Sequence, residues 1–293
     1  MKKIQLMMLS ILCVLLASCN NENGISDAYG NFESVPVLVA AQGQGQLISF
    51  AVMEGEKLQA GEQVGVIDTM QLFLKKEQIK ASILAVDTRL RTVAAQVRSQ
   101  QVQLQNLERE YARILALAKD GAATEKQKDD MEGNISLARA QMEVLETQKA
   151  SVNAEKRALQ VQVSQLTDQI NKSVIKNPLE GVVLQKYKQQ GEIVAPGQTL
   201  YKIADLDTLI LRAYISGKQI SQVKIGKEVT VRFDENEGIG EMPGKVTWIA
   251  SEAEFTPKII QTREERINLV YALKIKVLND GRLKIGMPGE VKF

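Results

Sequence analysis

The sequence predicts an elongated multi-domain α+β fold, in which a long antiparallel coiled-coil hairpin is inserted into a split β-sandwich and a β-barrel domain follows. Three observations support this prediction. Residues 70–173 carry apolar side chains at alternating spacings of four and three, the segments on either side of them repeat one another, and the remainder alternates as strands do. The 293 residues, of which 44% are hydrophobic, are enough for several folded units.

The chain begins with the features of a secretion signal. Lys2 and Lys3 precede an apolar run that ends in Leu-Ala-Ser-Cys at Cys19, so residues 1–18 are predicted to be a cleaved signal peptide. This ending resembles the lipobox of bacterial lipoproteins, which implies that Cys19 is lipidated; an ordinary signal peptide is the alternative. Residues 19–34 are polar and predict a flexible, lipidated tether. Residues 35–44 predict a first barrel strand and a connector.

Processing at Cys19 would also set the charge and thiol chemistry of the mature chain. Residues 1–18 hold two basic and no acidic residues, so 35 of each would remain, and a neutral chain disfavours nucleic-acid binding. The other cysteine, Cys13, would be removed, which excludes an intrachain disulfide. The absence of histidine excludes His-based triads and His-ligated metals. We therefore expect no cofactor, no metal site and no enzymatic activity.

An internal repeat predicts the sandwich. Gly45 to Ile67 aligns without gaps on Gly181 to Ile203, at an offset of 136 residues. Matching glycines mark tight turns between short strands, and each copy is too small to bury a core alone. We therefore expect the two copies, within residues 45–69 and 174–206, to pair into one domain.

The hairpin is predicted from two heptad runs that flank a short turn. The seam positions of the first run are 79, 83, 86, 90, 93, 97, 100, 104, 107, 111, 114 and 118; those of the second are 131, 135, 138, 142, 145, 149, 152, 156, 159, 163, 166 and 170. A sustained 3.5-residue repeat indicates coiled-coil helices. Between the runs, residues 119–124 contain Gly121 and begin a capping box at Thr124, so the second helix must fold back along the first.

Polar residues interrupt the seam at three positions, Gln100, Lys149 and Lys156. Polar seam residues often determine register or partner choice in coiled coils. They can also be tolerated defects, and the sequence leaves both interpretations open.

The arrangement as a whole resembles the HlyD-type periplasmic adaptors, also called membrane fusion proteins. The resemblance covers most of the mature chain and is most specific at Asn177 to Val183, Gly191 to Gly197, Ile203 to Leu209 and the Leu-Lys-x-Gly-Met-Pro-Gly ending at Gly289. It implies that the two half-motifs form one lipoyl-like β-sandwich and that residues 207–293 form the adaptor β-barrel.

A lipoyl-like fold raises the alternative of a biotin or lipoate carrier. Carrier domains present a modified lysine in the turn between their halves, and the nearest counterpart here is Thr69-Met-Gln-Leu72. Gln71 has no nucleophilic amine, and a hundred-residue insertion would hold the turn away from an active site. The carrier alternative is therefore disfavoured.

The hairpin tip is similar to that of adaptors that dock on TolC-type outer-membrane channels. Such adaptors are known for an Arg-x3-Leu-x6-Ser pattern, and this chain has Arg113-x3-Leu117-x6-Thr124. The resemblance implies a channel-docking role for these three residues. Each also has a structural interpretation: an exposed charge, an apolar residue beside the seam, and a helix N-cap.

The resemblance implies a periplasmic adaptor that links an inner-membrane transporter to a TolC-like channel. Phe255 to Arg266 is similar to adaptors of ABC transporters, and the chain stops after the barrel, so an ABC partner is favoured over an RND pump. Family resemblance further implies a ring, expected to be a hexamer, anchored by lipid to the inner membrane of a Gram-negative cell. A structural coiled-coil lipoprotein without a transport role is the rival from another class.

Overall fold

A computed structural model describes residues 26–235, 238–255 and 269–293. Two helices, α1 (Met70–Lys119) and α2 (Glu125–Lys172), run antiparallel and form the predicted hairpin. The strands on either side of it are β1 (Ala28–Glu33), β2 (Val37–Ala40), β3 (Gly45–Phe50), β4 (Lys57–Leu58), β5 (Gln63–Ile67), β6 (Val174–Lys176), β7 (Gly181–Lys186), β8 (Ile193–Val194), β9 (Thr199–Ala204), β10 (Thr208–Ser216), β11 (Glu228–Glu235), β12 (Gly238–Ile249), β13 (Glu254–Phe255), β14 (Leu269–Leu278) and β15 (Pro288–Lys292). The predicted fold class is confirmed.

The two half-motifs build the sandwich together. One sheet has the order β2-β9-β7-β4 and the other β6-β5-β3-β8, so each sheet contains strands from both copies. Their inner faces enclose one apolar core, which includes Leu47 and Ile67 from the first copy and Val183 and Ile203 from the second. The helices leave this domain at Ile67 and return to it at Val174, which brings the two ends of the hairpin together.

The barrel closes because β10 pairs with both β1 and β14. The order β10-β1-β15-β11-β12-β14 therefore forms a six-stranded ring, and β13 extends it along β14. Alternate residues of the strands point inward, as in β10, where Leu209, Leu211, Ala213 and Ile215 are buried. Polar side chains such as Arg212 lie between them on the outer face.

Two predictions for the start of the chain were wrong. Residues 28–33, predicted to belong to the tether, form barrel strand β1, in which Ala28 and Phe32 point into the core and Tyr29, Asn31 and Glu33 are exposed. Residues 37–40, predicted to be the first barrel strand, form β2 and pair with β9 of the sandwich. Val39 fills the sandwich core there. The strand at 28–33 places only Ala28 and Phe32 in the core, so the segment showed no sustained strand pattern.

Candidate docking site at the hairpin tip

The predicted seam holds the hairpin together along its whole length. Every seam position on both helices is buried or half-buried, and Val93 and Val152 are among the most buried. Positions away from the seam are mostly exposed, as expected for two helices in contact along one narrow stripe. The tip is therefore positioned by a pair of helices that brace each other rather than by a compact domain.

Cross-helix polar contacts reinforce the seam. Gln100 donates to the Ala138 carbonyl at 3.3 Å and to the Gln141 side chain at 3.1 Å. Lys156 forms an ion pair with Asp87 at 2.7 Å across the helices. These two interruptions of the seam thus carry contacts that depend on register.

The third interruption differs from the other two. Lys149 bonds to Glu146, three residues earlier on its own helix, at 3.2 Å. This contact lies within α2 and does not fix the register of the pair.

A short turn closes the tip. The carbonyl of Leu117 accepts the N–H groups of Asp120 at 3.2 Å and Ala122 at 2.9 Å, so backbone groups of the loop cap the C-terminal end of α1. Thr124 then caps α2. Its hydroxyl accepts the Gln127 N–H at 3.3 Å, and the Gln127 side chain accepts the Thr124 N–H at 2.8 Å, which confirms the predicted capping box.

The three candidate docking residues all lie at this end of the hairpin. Arg113 and Leu117 are one helical turn apart on one face of α1, and Thr124 begins α2. The Arg113 side chain is 70% exposed and bonds to Glu110 on its own helix at 2.9 Å. Leu117 is 44% exposed, although it is a large apolar residue. An exposed cation and an exposed leucine on one face can form a docking surface for a protein partner.

The Thr124 hydroxyl is already engaged in the cap. Besides accepting the Gln127 backbone N–H, it donates to the side-chain oxygen Oε1 of Gln127 at 3.0 Å. Its side chain therefore has a complete structural explanation, whereas the exposure of Leu117 has none within the hairpin.

The structure adds two features that the sequence analysis did not single out. Leu115 is also a partly exposed apolar residue near the tip, at 36%. Its position next to the seam residue Ile114, but outside the seam, could have indicated this exposure from the sequence. Just below the tip, the Tyr111 hydroxyl donates to Glu132 across the helices, and this bond raises the pKa of the Tyr111 hydroxyl. This bond fastens the tip to the opposite helix immediately below the candidate docking residues.

Other predicted site features are placed as follows. Cys19 and most of Phe255 to Arg266 lie outside the described residues. Gln71 lies in the first turn of α1, at the junction with the sandwich. Within residues 26–235, 238–255 and 269–293, no group of three or more Cys, Asp or Glu side chains could hold a metal ion. No helix in that same part of the chain is long and apolar enough to cross a membrane.

Comparison with known proteins identifies the family. A family model described as "RND MFP, barrel-sandwich hybrid domain" matches residues 36–206, which is more than half of the chain and contains the whole hairpin and sandwich. The chain belongs to the membrane fusion protein (MFP) family. The matched region contains no barrel strand, since β1 precedes it and β10 follows it, so the family assignment rests on the split sandwich and its inserted hairpin.

Curated relatives match nearly the whole MFP chain. A UPF0194 membrane protein of Acidithiobacillus ferridurans is 26% identical over 289 residues, which cover 89% of this chain and 84% of the relative. A UPF0194 membrane protein of Yersinia enterocolitica is 26% identical over 294 residues, with 90% and 88% covered. The similarity therefore includes the barrel as well as the region that identifies the family.

Solved structures share the fold. The crystal structure of MacA from Actinobacillus actinomycetemcomitans superimposes with a TM-score of 0.59 at 21% identity, covering 91% of this chain and 78% of MacA. A membrane fusion protein of Streptococcus pneumoniae R6 gives a TM-score of 0.55 at 15% identity, with 90% and 97% covered. These similarities agree with the hairpin, sandwich and barrel of this MFP.

Proposed function

We propose that this MFP is the periplasmic adaptor of a tripartite efflux or secretion system. In this role it links an inner-membrane transporter to a TolC-like outer-membrane channel. The observation that carries the proposal is the hairpin. Its α1 helix has 50 residues, which at 1.5 Å per residue makes it about 75 Å long. The barrel is connected to the sandwich, at the base of the hairpin and away from its tip. A molecule of this shape can contact two partners that are far apart.

The tip is proposed to be the channel-docking surface. Arg113 and Leu117 are exposed on one face of α1, while the cap at Thr124 keeps the turn closed. Arg113 would supply a charged hydrogen bond and Leu117 an apolar anchor. Thr124 would act mainly by holding the geometry of the turn, since its hydroxyl is engaged with Gln127.

The other end is proposed to sit at the inner membrane. Lipid on Cys19 would anchor the chain there as a lipoprotein of the HlyD type, and stable anchoring requires more than one acyl chain. Several copies, six by family resemblance, would form a ring around an export duct. This chain would perform no catalysis and bind no cofactor or nucleic acid. Energy conversion would belong to the transporter.

An ABC-type transporter is the partner we favour, on the resemblance of Phe255 to Arg266 to adaptors of that class. An RND pump is the second candidate, and one observation favours it: the matching family model is described as RND MFP. Affinity purification of the tagged chain from its native membrane distinguishes the two. Recovery of an ATPase-bearing membrane protein supports the first candidate, and recovery of a large RND pump supports the second.

The docking role is tested by site-specific photocrosslinking in the native host. A photoreactive residue is placed at Arg113, Leu117 or Thr124 in turn, and Val102, which is 55% exposed on the middle of the same helix, is the matched control. We expect a channel adduct from Arg113 and Leu117, a weaker one from Thr124, and none from Val102. Self-adducts alone at all three tip positions would contradict docking.

A further inference from the structure

The barrel contains the same tight turn twice. Val223-Lys-Ile-Gly-Lys227 precedes β11, and Leu283-Lys-Ile-Gly-Met287 precedes β15. In each copy the first residue is buried in the barrel core, at 4% exposure for Val223 and 1% for Leu283, and the isoleucine at the apex points outward. Ile225 is 67% exposed and Ile285 is 45% exposed.

The backbone of the two turns is also the same. The Lys227 N–H bonds to the Lys224 carbonyl at 3.1 Å, and the Met287 N–H bonds to the Lys284 carbonyl at 3.2 Å. Gly226 and Gly286 have φ values of 92° and 83°, which the third position of such a turn requires. Each glycine N–H bonds to a neighbouring strand, at 2.8 Å in both cases. Local turn chemistry therefore gives no reason for the two isoleucines to differ in function.

The two turns lie at opposite ends of the barrel. The Gly286 N–H bonds to Phe32, at the end of β1 from which the chain continues into the sandwich. The Val223–Lys227 turn belongs to the connection from the end of β10 to the start of β11, at the barrel end away from the sandwich. We call this second end the distal end, and residues 217–227 the distal loop.

The charges around the two turns differ. The distal loop contains three lysines and no acidic residue. Lys218 and Lys224 are exposed and make no ion pair within the part of the chain that the structure describes, and Lys227 bonds to the Gln222 carbonyl at 3.0 Å. An exposed carboxylate, Glu228, follows the distal loop directly. The loop of the other turn itself contains an acidic residue, Asp280, and Arg282 beside that turn is paired with Asp280 at 2.8 Å and with Glu235 at 3.1 Å. Of the two copies, only the distal one places its exposed isoleucine in a loop whose charges are all basic.

The start of the described chain lies at the distal end as well. The Gln219 side chain of the distal loop donates to the Asp27 carbonyl at 2.8 Å, next to Ser26. Cys19 precedes Ser26 by seven residues, which span at most about 25 Å when fully extended. A lipid on Cys19 would therefore keep the distal loop close to the bilayer surface.

We propose that the distal loop is a membrane-contact surface, in which Ile225 enters the headgroup region of an anionic bilayer and Lys218 and Lys224 bind the lipid headgroups. The position of the loop near a membrane rests on the lipid anchor of the proposed function. The contact itself follows from the side chains. An apolar residue at the apex of a rigid turn, flanked by basic residues, is suited to an interface that is apolar inside and negatively charged outside.

The first test is vesicle co-sedimentation of residues 20–293, which keep every described element and lack the lipid-bearing cysteine. We expect binding to vesicles that contain phosphatidylglycerol and none to pure phosphatidylcholine vesicles. Lys224→Gln is expected to weaken binding about fivefold, and Ile225→Ser about tenfold. The matched changes Lys284→Gln and Ile285→Ser, in the turn at the sandwich end, are expected to leave binding unchanged.

A second test locates the contact directly. Residues 20–293 contain no cysteine, so Ile225→Cys or Ile285→Cys provides one site for an environment-sensitive fluorophore. We expect a blue shift with anionic vesicles from the label at position 225 alone, and loss of that shift in high salt as the lysine contribution is screened. Because both isoleucines are exposed, neither substitution should unfold the barrel, and thermal melting of each variant checks this.

Several outcomes would overturn the proposal. They are the absence of binding to anionic vesicles, equal blue shifts from both labels, or binding that Ile225→Ser and Lys224→Gln do not weaken. Loss of transporter copurification in Lys224→Gln, without vesicle binding by the parent chain, would instead identify an acidic protein as the occupant. The vesicle tests use neither the channel nor the Cys19 lipid, so their failure leaves the adaptor role standing. Failure of the tip crosslinks likewise leaves the membrane contact standing.

Discussion

The two halves of the sandwich share a backbone and differ inside. The Gly55 N–H bonds to the Val183 carbonyl, and its counterpart Gly191 bonds to Leu47, the counterpart of Val183; both distances are 2.8 Å. The pairing of β3 with β8 is likewise mirrored by that of β7 with β4. Each half therefore supplies the hydrogen-bond partners that the other lacks, so we expect that one copy alone does not fold.

The core follows this symmetry at positions such as Leu47 and Val183, but not everywhere. At the position where the second half places the fully buried Tyr201, the first half has Gly65. Tyr201 packs against Phe50 with ring centroids 6.1 Å apart, and the counterpart of Phe50 is Lys186, whose amino group lies over the Phe50 ring. The repeated turns thus give both halves the same backbone. At these two pairs of core positions, however, only one half supplies a large aromatic side chain: Tyr201 from the second half and Phe50 from the first.

The largest expected effect on stability comes from placing alanine at the equivalent positions 65 and 201, which makes the two halves alike there. Tyr201→Ala should lower the free energy of unfolding by about 3–5 kcal/mol, because it leaves a cavity beside Phe50. Gly65→Ala should cost about 1–3 kcal/mol for the opposite reason: a Cβ there would lie 2.8 Å from the Ser49 carbonyl oxygen and 2.9 Å from the Phe50 ring. Urea unfolding of each variant measures both.

The matched control is Gly55→Ala, at a turn glycine with a φ of 85°, where a Cβ would have no other atom within 4 Å. This substitution should cost about 1 kcal/mol through backbone strain alone. If Gly65→Ala cost no more than Gly55→Ala, the steric account of the asymmetry would be wrong.

A buried hydrogen-bond network gives the next largest effect. Asn177, whose counterpart is Ala41, accepts the Tyr201 hydroxyl at 3.0 Å and donates to the carbonyls of Gln59 at 2.9 Å and Leu179 at 2.6 Å. Asn177→Ala should cost about 2 kcal/mol, since it leaves the buried Tyr201 hydroxyl without its partner and removes the hydrogen bonds to the Gln59 and Leu179 carbonyls, and Tyr201→Phe should cost about 1 kcal/mol. Equilibrium unfolding of the two single variants and the double variant should show less than additive losses.

The same network predicts a pH dependence. Burial raises the pKa of the Tyr201 hydroxyl from 10.0 to about 12. Since the folded pKa is the higher one, this contribution to stability is complete below pH 10 and is lost as the pH rises through 12. The advantage of the parent over Tyr201→Phe should therefore shrink by about 1 kcal/mol between pH 9 and pH 11. An unchanged difference would indicate that the hydroxyl ionises equally in both states.

Periodicity made the hairpin, the sandwich and the barrel predictable from the sequence. The seam residues from Ile79 to Ala118 recur so regularly that a single gap at Gln100 did not obscure them, and the structure buries or half-buries each one. The repeat at an offset of 136 residues predicted that two halves would pair, because glycines and apolar residues recur where the turns and the core need them. Because such patterns repeat many times along the chain, one residue that departs from them, such as Gln100, does not obscure the prediction.

Features fixed by distant contacts were not predictable. Strand β1 has only two inward side chains, Ala28 and Phe32, and is paired on both sides, with β10 and with β15. Gly65 and Tyr201 occupy equivalent inward positions, and the local sequence pattern does not indicate which half supplies the large side chain there. At the tip, the spacing placed Arg113, Leu117 and Thr124 at one end of the hairpin, but only the structure shows that Leu117, beside the seam, is 44% exposed.

The smallest expected effect concerns a carboxylate that both halves place in the same turn. Glu56 accepts the Met53 N–H at 3.0 Å, and Glu192 accepts the Gln189 N–H at 2.8 Å. Glu192 alone also accepts Lys188, at 2.9 Å, and the Lys188 hydrogen bond, followed by that of Gln189, holds the Glu192 pKa below its usual 4.5. Its contribution should therefore be complete above pH 4.5 and be lost as the pH falls through the lowered pKa.

Urea unfolding at pH 7 and at pH 3 tests this difference between the halves. Glu192→Gln should destabilise the protein slightly at pH 7 and less at pH 3, and Lys188→Gln should remove part of that pH dependence. Glu56→Gln, in the half without the lysine, is the control for the turn hydrogen bond alone. Equal pH dependence in Glu56→Gln and Glu192→Gln would mean that the lysine adds nothing, and that the two turns are as alike in energy as they are in backbone.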